Sequence, residues 1–282
     1  MQTVANKRVS LSANQARSMF YLYGTECRHW VRRSASLFAL FAFSMLALIS
    51  SAEVFQVGTT AELRAALLAA QGNGANDEIV LSDGVYDITA DGNSTLSFFD
   101  AEPFQLILRA ATTGSAVLDG LGQARVLDID SSAEVELLIQ GLTIRNGKSA
   151  DGGAGMQLNV QAAVIEQTKF LDNDGPAIAV YGDYSRGETL RIDRCDFRNG
   201  RNQPAILHTG YYSPLTVVSS YFENNHGAIN ARVYYSDATI INSIFVNNSA
   251  EGEVSSVNLD GGAQEVKRVQ NSLFLEEHSA EP

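Results

Sequence analysis

Apolar and polar residues alternate in short runs along this chain, and in its second half the runs recur at a nearly constant interval. A five-residue phrase marks each recurrence. It reads Leu142-Thr-Ile-Arg-Asn146, Thr168-Lys-Phe-Leu-Asp172, Cys195-Asp-Phe-Arg-Asn199, Ser220-Tyr-Phe-Glu-Asn224, Ser243-Ile-Phe-Val-Asn247 and Ser272-Leu-Phe-Leu-Glu276. Its central residues, Ile144, Phe170, Phe197, Phe222, Phe245 and Phe274, stand 26, 27, 25, 23 and 29 residues apart. Residues two apart share a face of a strand, so the residue two before each centre (Leu142, Thr168, Cys195, Ser220, Ser243, Ser272) points the same way. Five before each centre lies a further apolar row: Ile139, Ile165, Ile192, Val217, Ile240 and Val269. Two residues after each centre, Asn146, Asp172, Asn199, Asn224, Asn247 and Glu276 predict a buried ladder in which stacked side-chain amides satisfy one another and the bend.

A period of this length accommodates three short strands per coil. The third is supplied by runs such as Ala177-Ile-Ala-Val180 and Ala205-Ile-Leu-His208. Repeats that stack only on their neighbours make a solenoid. The pattern therefore predicts an all-β, single-stranded parallel β-helix. Ahead of it, Ala61-Glu-Leu-Arg-Ala-Ala-Leu-Leu-Ala-Ala70 predicts a capping helix over about residues 60–71, with Thr60 as N-cap and Leu63, Leu67 and Ala70 on one face. Gly72-Asn-Gly74 would end it.

Val57-Gly-Thr-Thr-Ala-Glu-Leu-Arg-Ala-Ala-Leu67, Asp77-Glu-Ile-Val-Leu-Ser-Asp-Gly-Val-Tyr86, Gly141-Leu-Thr-Ile-Arg-Asn-Gly147 and the repeated Phe-x-Asn-Asn phrases carry a resemblance. Over roughly residues 54–276 the chain resembles the secreted right-handed parallel β-helix proteins of the pectate-lyase-like superfamily. That superfamily includes chondroitinase and alginate lyases and non-enzymatic bacterial surface proteins. The resemblance implies the fold; the shared phrases build coils, so it leaves the activity open.

The N-terminal residues differ in kind. Arg28, Arg32 and Arg33 precede an apolar run from Ala35 to Ile49 that ends at Ser50-Ser-Ala52. This is the layout of a secretory signal with cleavage after Ala52, and the run is short for a membrane span. Residues 1–52 are thus expected to be a signal with an N-terminal extension, and 53–282 one β-helix domain, secreted or held at the cell surface, as a monomer. The first 52 residues carry six of the 20 Lys and Arg and one of the 32 Asp and Glu, which leaves 14 basic and 31 acidic side chains, a net of −17. So acidic a domain argues against nucleic acid as a partner. Cys195 would be left without a second cysteine, an inert thiol in the inward row.

Chemistry must then lie on outward positions, and two readings stay open. In the first, Glu166 and Asp193 stack on adjacent coils and hold a cation such as Ca²⁺, with Lys169, Arg191 and Arg194 as the basic groups of a polysaccharide lyase acting by β-elimination on uronates. The alternative for the same residues is a solvated salt-bridge ladder. In the second, Tyr184, Tyr212 and Tyr235, each six residues after an inward Ile, form a column of flat faces for the sugar rings of an extracellular polysaccharide. The alternative there is a stack that stiffens the turns. A structural or adhesive surface role is a third possibility. His208 and His226 fall on different coils and bring no third ligand for zinc.

Overall fold

The structure, a computed structural model, describes residues 52–92, 94–132, 134–182, 187–248, 256–262 and 266–275. The expected signal segment lies outside the described residues, except for Ala52.

β1 (Glu53–Val57) leads into a helix, α1 (Thr60–Ala70), and the coils come after it. The first coil comprises β2 (Asp77–Leu81), β3 (Gly84–Asp87) and β4 (Leu96–Asp100); the second, β5 (Gln105–Ala110), β6 (Ala116–Asp119) and β7 (Leu127–Ser131). The third holds β8 (Glu136–Gln140), β9 (Thr143–Arg145) and β10 (Met156–Asn159); the fourth, β11 (Ala162–Glu166), β12 (Lys169–Leu171) and β13 (Ile178–Tyr181). The fifth holds β14 (Thr189–Asp193), β15 (Asp196–Arg198) and β16 (Ile206–Tyr211); the sixth, β17 (Leu215–Val218), β18 (Tyr221–Glu223) and β19 (Ile229–Tyr234). The last two hold β20 (Ala238–Ile241), β21 (Ile244–Val246), β22 (Val257–Asp260), then β23 (Lys267–Gln270) and β24 (Leu273–Leu275).

Every third strand pairs in parallel with its equivalent one coil away, giving three sheets. The first runs β1-β2-β5-β8-β11-β14-β17-β20-β23, the second β3 to β24 and the third β4 to β22. The register is the one the repeat dictates: Ile144, Phe170, Phe197, Phe222, Phe245 and Phe274 are successive partners. From Phe170 onward their rings stack at 4.6–4.9 Å between centroids and within 8° of parallel. Each such pair adds about 1 kcal/mol beyond its buried area. Ile139, Ile165, Ile192, Val217 and Ile240 fill the same core from the first sheet.

Phe274 and Val269, expected to point into the core, are 41% and 44% exposed on the last described coil, and two further details depart from the pattern expected of the sequence. The N-cap is Thr59, one residue before the expected Thr60. Its hydroxyl accepts from Glu62 N at 3.2 Å while the Glu62 carboxylate accepts from Thr59 N, the reciprocal arrangement of a capping box. Leu63, Ala66, Leu67 and Ala70 are buried over the first coil.

The second concerns the asparagine row. Asn146, Asp172, Asn199, Asn224 and Asn247 all have positive φ, between 50° and 56°, and none is buried, although Asn199 Nδ2 does donate to Asp172 Oδ1 at 3.2 Å as expected of the row. The left-handed residue breaks the two-residue alternation, so the inward position is the next one along. There Asn173, Asn225 and Asn248 are buried. Asn225 Oδ1 accepts from Gly200 N at 2.9 Å and its Nδ2 donates to Phe197 O at 3.0 Å and to Asn248 Oδ1 at 2.9 Å. A matching ladder of hydroxyls lines the other bend. Ser220 Oγ accepts from Cys195 N, Ser243 Oγ from Ser220 N and Ser272 Oγ from Ser243 N, at 3.1–3.3 Å. Burial pushes the Cys195 thiol up to about 12, so it stays protonated and unreactive. Among the described residues no helix is long and apolar enough to cross a membrane.

Candidate functional site

The bend between the first and second sheets carries the acidic and basic residues. Glu166 and Asp193 are register partners at the ends of β11 and β14, about 5 Å apart as parallel neighbours must be. The following residue in each coil is left-handed: Gly141, Gln167, Arg194, Ser219, Asn242 and Asn271 have φ between 49° and 71°. That conformation turns the Arg194 side chain back over the pair. Its Nη1 lies 3.3 Å from Asp193 Oδ1 and its Nη2 3.7 Å from Glu166 Oε2. Arg191 closes on the other Asp193 oxygen at 3.0 Å, and Gln140 Nε2 donates to Glu166 Oε2 at 3.3 Å.

Each carboxylate is therefore already neutralised by a guanidinium. A Ca²⁺ ion would have to displace Arg194 and find further oxygen ligands. Among the described residues no three His, Cys, Asp or Glu side chains converge on one point. Lys169 is exposed on the far side of the bend at Gln167, in the second sheet, with its Nζ over Gly114.

The tyrosines occupy a different corner, where the third sheet turns into the first. Tyr211 and Tyr234 are register partners at the ends of β16 and β19, with rings stacked at 5.0 Å. Tyr212 and Tyr235 come next in left-handed conformations, φ 55° and 58°, with rings stacked at 5.4 Å. Tyr211 and Tyr235 sit 6.2 Å apart, so the two stacks adjoin. Tyr212 is 57% exposed and Tyr235 66%, which leaves broad ring faces toward solvent. Tyr184, the third expected member, lies outside the described residues.

A buried polar cluster anchors this corner from inside. His208 Nε2 is 2.9 Å from Ser213 O and 3.0 Å from Ser213 Oγ, while Ser213 Oγ donates to Glu188 O. A hydroxyl that already donates to a carbonyl must accept from the ring, so Nε2 carries the proton. Nδ1 is then a buried acceptor with no partner among the described residues. Burial pushes the His208 pKa down to about 4, so the ring is neutral at pH 7. Gly187, φ +67°, passes so close beneath that a Cβ there would stand 2.6 Å from Tyr212 O. His226, on the next coil, is part-exposed and belongs to no metal-binding group among the described residues.

The two candidate sites are thus separate. Thr189 of β14 is at the tyrosine end of the strand and Asp193 at the acidic end. The intervening strand spans about 13 Å.

The outward face of the third sheet holds residues the repeat phrase does not flag. One row runs Phe99, Asp130, Asn159, Tyr181, Thr209 and Arg232, each on its own coil and in register. Phe99 is 53% and Tyr181 44% exposed. At the Phe99 end a cavity of about 450 Å³ opens between Phe99, Asp100, Asp130, Ser132 and Asn159. Asn159 Nδ2 donates to Asp130 Oδ1 at 2.7 Å. Counting three residues on from the inward row Leu96, Leu127, Met156 and Ile178 would have located these positions in the sequence.

The family described as right handed beta helix region matches residues 127–275. No curated protein matches the chain. Among solved structures, an alginate lyase from Paenibacillus sp. str. FPU-7 aligns at 13% identity over 81% of this chain and 99% of that chain, with a TM-score of 0.33. Agreement at that level bears on neither the fold nor the activity of this chain.

Proposed function

The chain belongs to the right-handed β-helix family, and on that premise we propose that it binds an extended polysaccharide outside the cell along the outer face of its third sheet. The observation that carries this reading is the pair of adjoining tyrosine stacks, the half-buried Tyr211 on Tyr234 and the exposed Tyr212 on Tyr235. Stacking for stability alone would favour burial. These rings keep more than half their surface in water at Tyr212 and Tyr235. Such a face matches the apolar face of a pyranose, and the phenol hydroxyls can pair with its hydroxyls. The coil repeat of about 4.8 Å sets contacts at regular intervals along the axis, as a polymeric ligand requires.

Secretion, read from the residues before Glu53, belongs to this proposal. Arg194, Glu166 and Asp193 are assigned to the fold, because Arg194 bridges the two carboxylates and Arg191 adds a second guanidinium to Asp193, the arrangement of a salt-bridge ladder.

Affinity electrophoresis in gels cast with polysaccharide tests the reading. Tyr212→Ala should relieve the retardation of the wild type by about tenfold in affinity, roughly 1.4 kcal/mol, with an unchanged circular dichroism spectrum. Unchanged retardation would remove the tyrosines from the site. Release of unsaturated sugar by the wild type, abolished in Arg194→Gln, would replace binding with a lyase centred on the acidic bend.

A further inference from the structure

The charges around the third-sheet face bear on which polysaccharide it takes. Building on the binding of polysaccharide at the tyrosine stacks, we propose that the cavity headed by Phe99 is a sugar subsite of the same groove. Its ligand is a glycan without carboxylates, either neutral or bearing amines.

Three observations converge. The cavity has the composition of a sugar site: one exposed aromatic wall, Phe99, with a carboxylate–amide pair, Asp130 and Asn159, beside it. An Asp–Asn pair of this kind accepts from one sugar hydroxyl and donates to the next. It also shares its outward row with Tyr181, and the Tyr211 stack stands two residues further along the strand than Tyr181's partner Thr209, about 7 Å to one side of that row. Phe99 and Tyr181 are three coils apart and Tyr181 and Tyr211 one coil apart, which gives about 20 Å of groove with aromatic surface at both ends and at Tyr181 between them.

The third observation is electrostatic. Asp100 and Asp130 line the cavity, and no Lys or Arg among the described residues does. Arg125, just before the strand that carries Asp130, is committed: its Nη1 pairs with Asp128 at 2.8 Å and its Nε donates to Gly153 O at 2.8 Å. Arg232, further along, has Asp260 as its register partner. Lys148 and Arg201 lie at the opposite edge of the sheet, each joined to Asp174 by a backbone bridge. Behind all of this stands a domain of net charge −17. A polyuronate, one carboxylate per ring, would meet carboxylates at the subsite and repulsion on approach. An uncharged or amine-bearing chain meets neither.

The test uses the intact protein in native gels cast with galactomannan, glycol chitosan, alginate or polygalacturonate, at low ionic strength, with Ca²⁺ or with chelator. Galactomannan or glycol chitosan should retard the wild type, and alginate and polygalacturonate should not. Phe99→Ala and Asp130→Ala should each weaken the retardation about tenfold, and both sites tolerate substitution because neither side chain is buried. Retardation by alginate or polygalacturonate equal to that by galactomannan, with or without Ca²⁺, would overturn the assignment of ligand class while leaving polysaccharide binding standing. Full retardation of Phe99→Ala would remove the cavity from the groove. No retardation by any of the four polymers, in folded protein, would overturn both this inference and the binding reading beneath it.

Discussion

Tyr212 and Tyr235 hold the same left-handed backbone conformation one coil apart, and their rings stack at 5.4 Å while staying open to solvent on one side. Ring face and hydroxyl can be separated at this stack. Tyr212→Phe retains the ring and loses the hydroxyl; Tyr212→Ala loses both. If the ring face does the binding, Tyr212→Phe should cost about twofold to fivefold in affinity for the retarding polysaccharide, against about tenfold for Tyr212→Ala. Equal losses would assign the binding to the hydroxyl.

The guanidinium of Arg194 is half exposed, so its two ion pairs are screened and hold little energy. Arg194→Gln should lower stability by less than about 1 kcal/mol in urea denaturation, and 1 M salt should shrink even that difference. Polysaccharide retardation should be unaffected, because the bend lies at the other end of the first-sheet strand from the tyrosines.

Neighbouring asparagines should behave in opposite ways. Asn225 is buried and satisfies Gly200 N and Phe197 O, so Asn225→Ala strands two backbone groups and should cost about 3 kcal/mol. Asn224 is exposed with φ 54°. Asn224→Ala should cost about 1 kcal/mol for the left-handed conformation, and Asn224→Gly close to nothing. Urea denaturation midpoints of the three variants decide it.

His208 makes stability depend on pH in a defined window. Its folded pKa, about 4, lies below the ordinary histidine value of 6.5, so the unfolded chain binds the proton more readily. Its contribution is fully present above pH 6.5 and is lost as pH falls toward 4, by about 3 kcal/mol in all. Subtracting the stability profile of His208→Gln from that of the wild type isolates this slope from the carboxylates that titrate in the same range. A flat difference between pH 6.5 and 4 would mean that the ring takes up its proton inside the folded coil.

The Phe and Ile rows are legible in the sequence because a solenoid repeats one steric problem on every coil, and each coil solves it with the same residue types. The asparagine ladder is displaced by one position from where alternation predicts it, because alternation is a property of extended backbone and the left-handed residue at each bend resets it. Phe99 and Asp130 escape a reading of the repeat because outward positions are under no stacking constraint, so they leave no repeated phrase.

From the sequence alone came the period, the parallel stacking, the inward rows, the capping helix and the excess of acid. All are consequences of local alternation, propensity and composition. Tertiary structure decided how those acids and aromatics are distributed. It gave Glu166 and Asp193 a shared guanidinium, put the tyrosines at a separate corner, and set Phe99 and Tyr181, from coils far apart in the chain, on one outward row with Tyr211 two residues to its side. Register between coils sets these relationships. It depends on the length of every intervening turn, a sum over the whole solenoid that no single phrase of sequence contains.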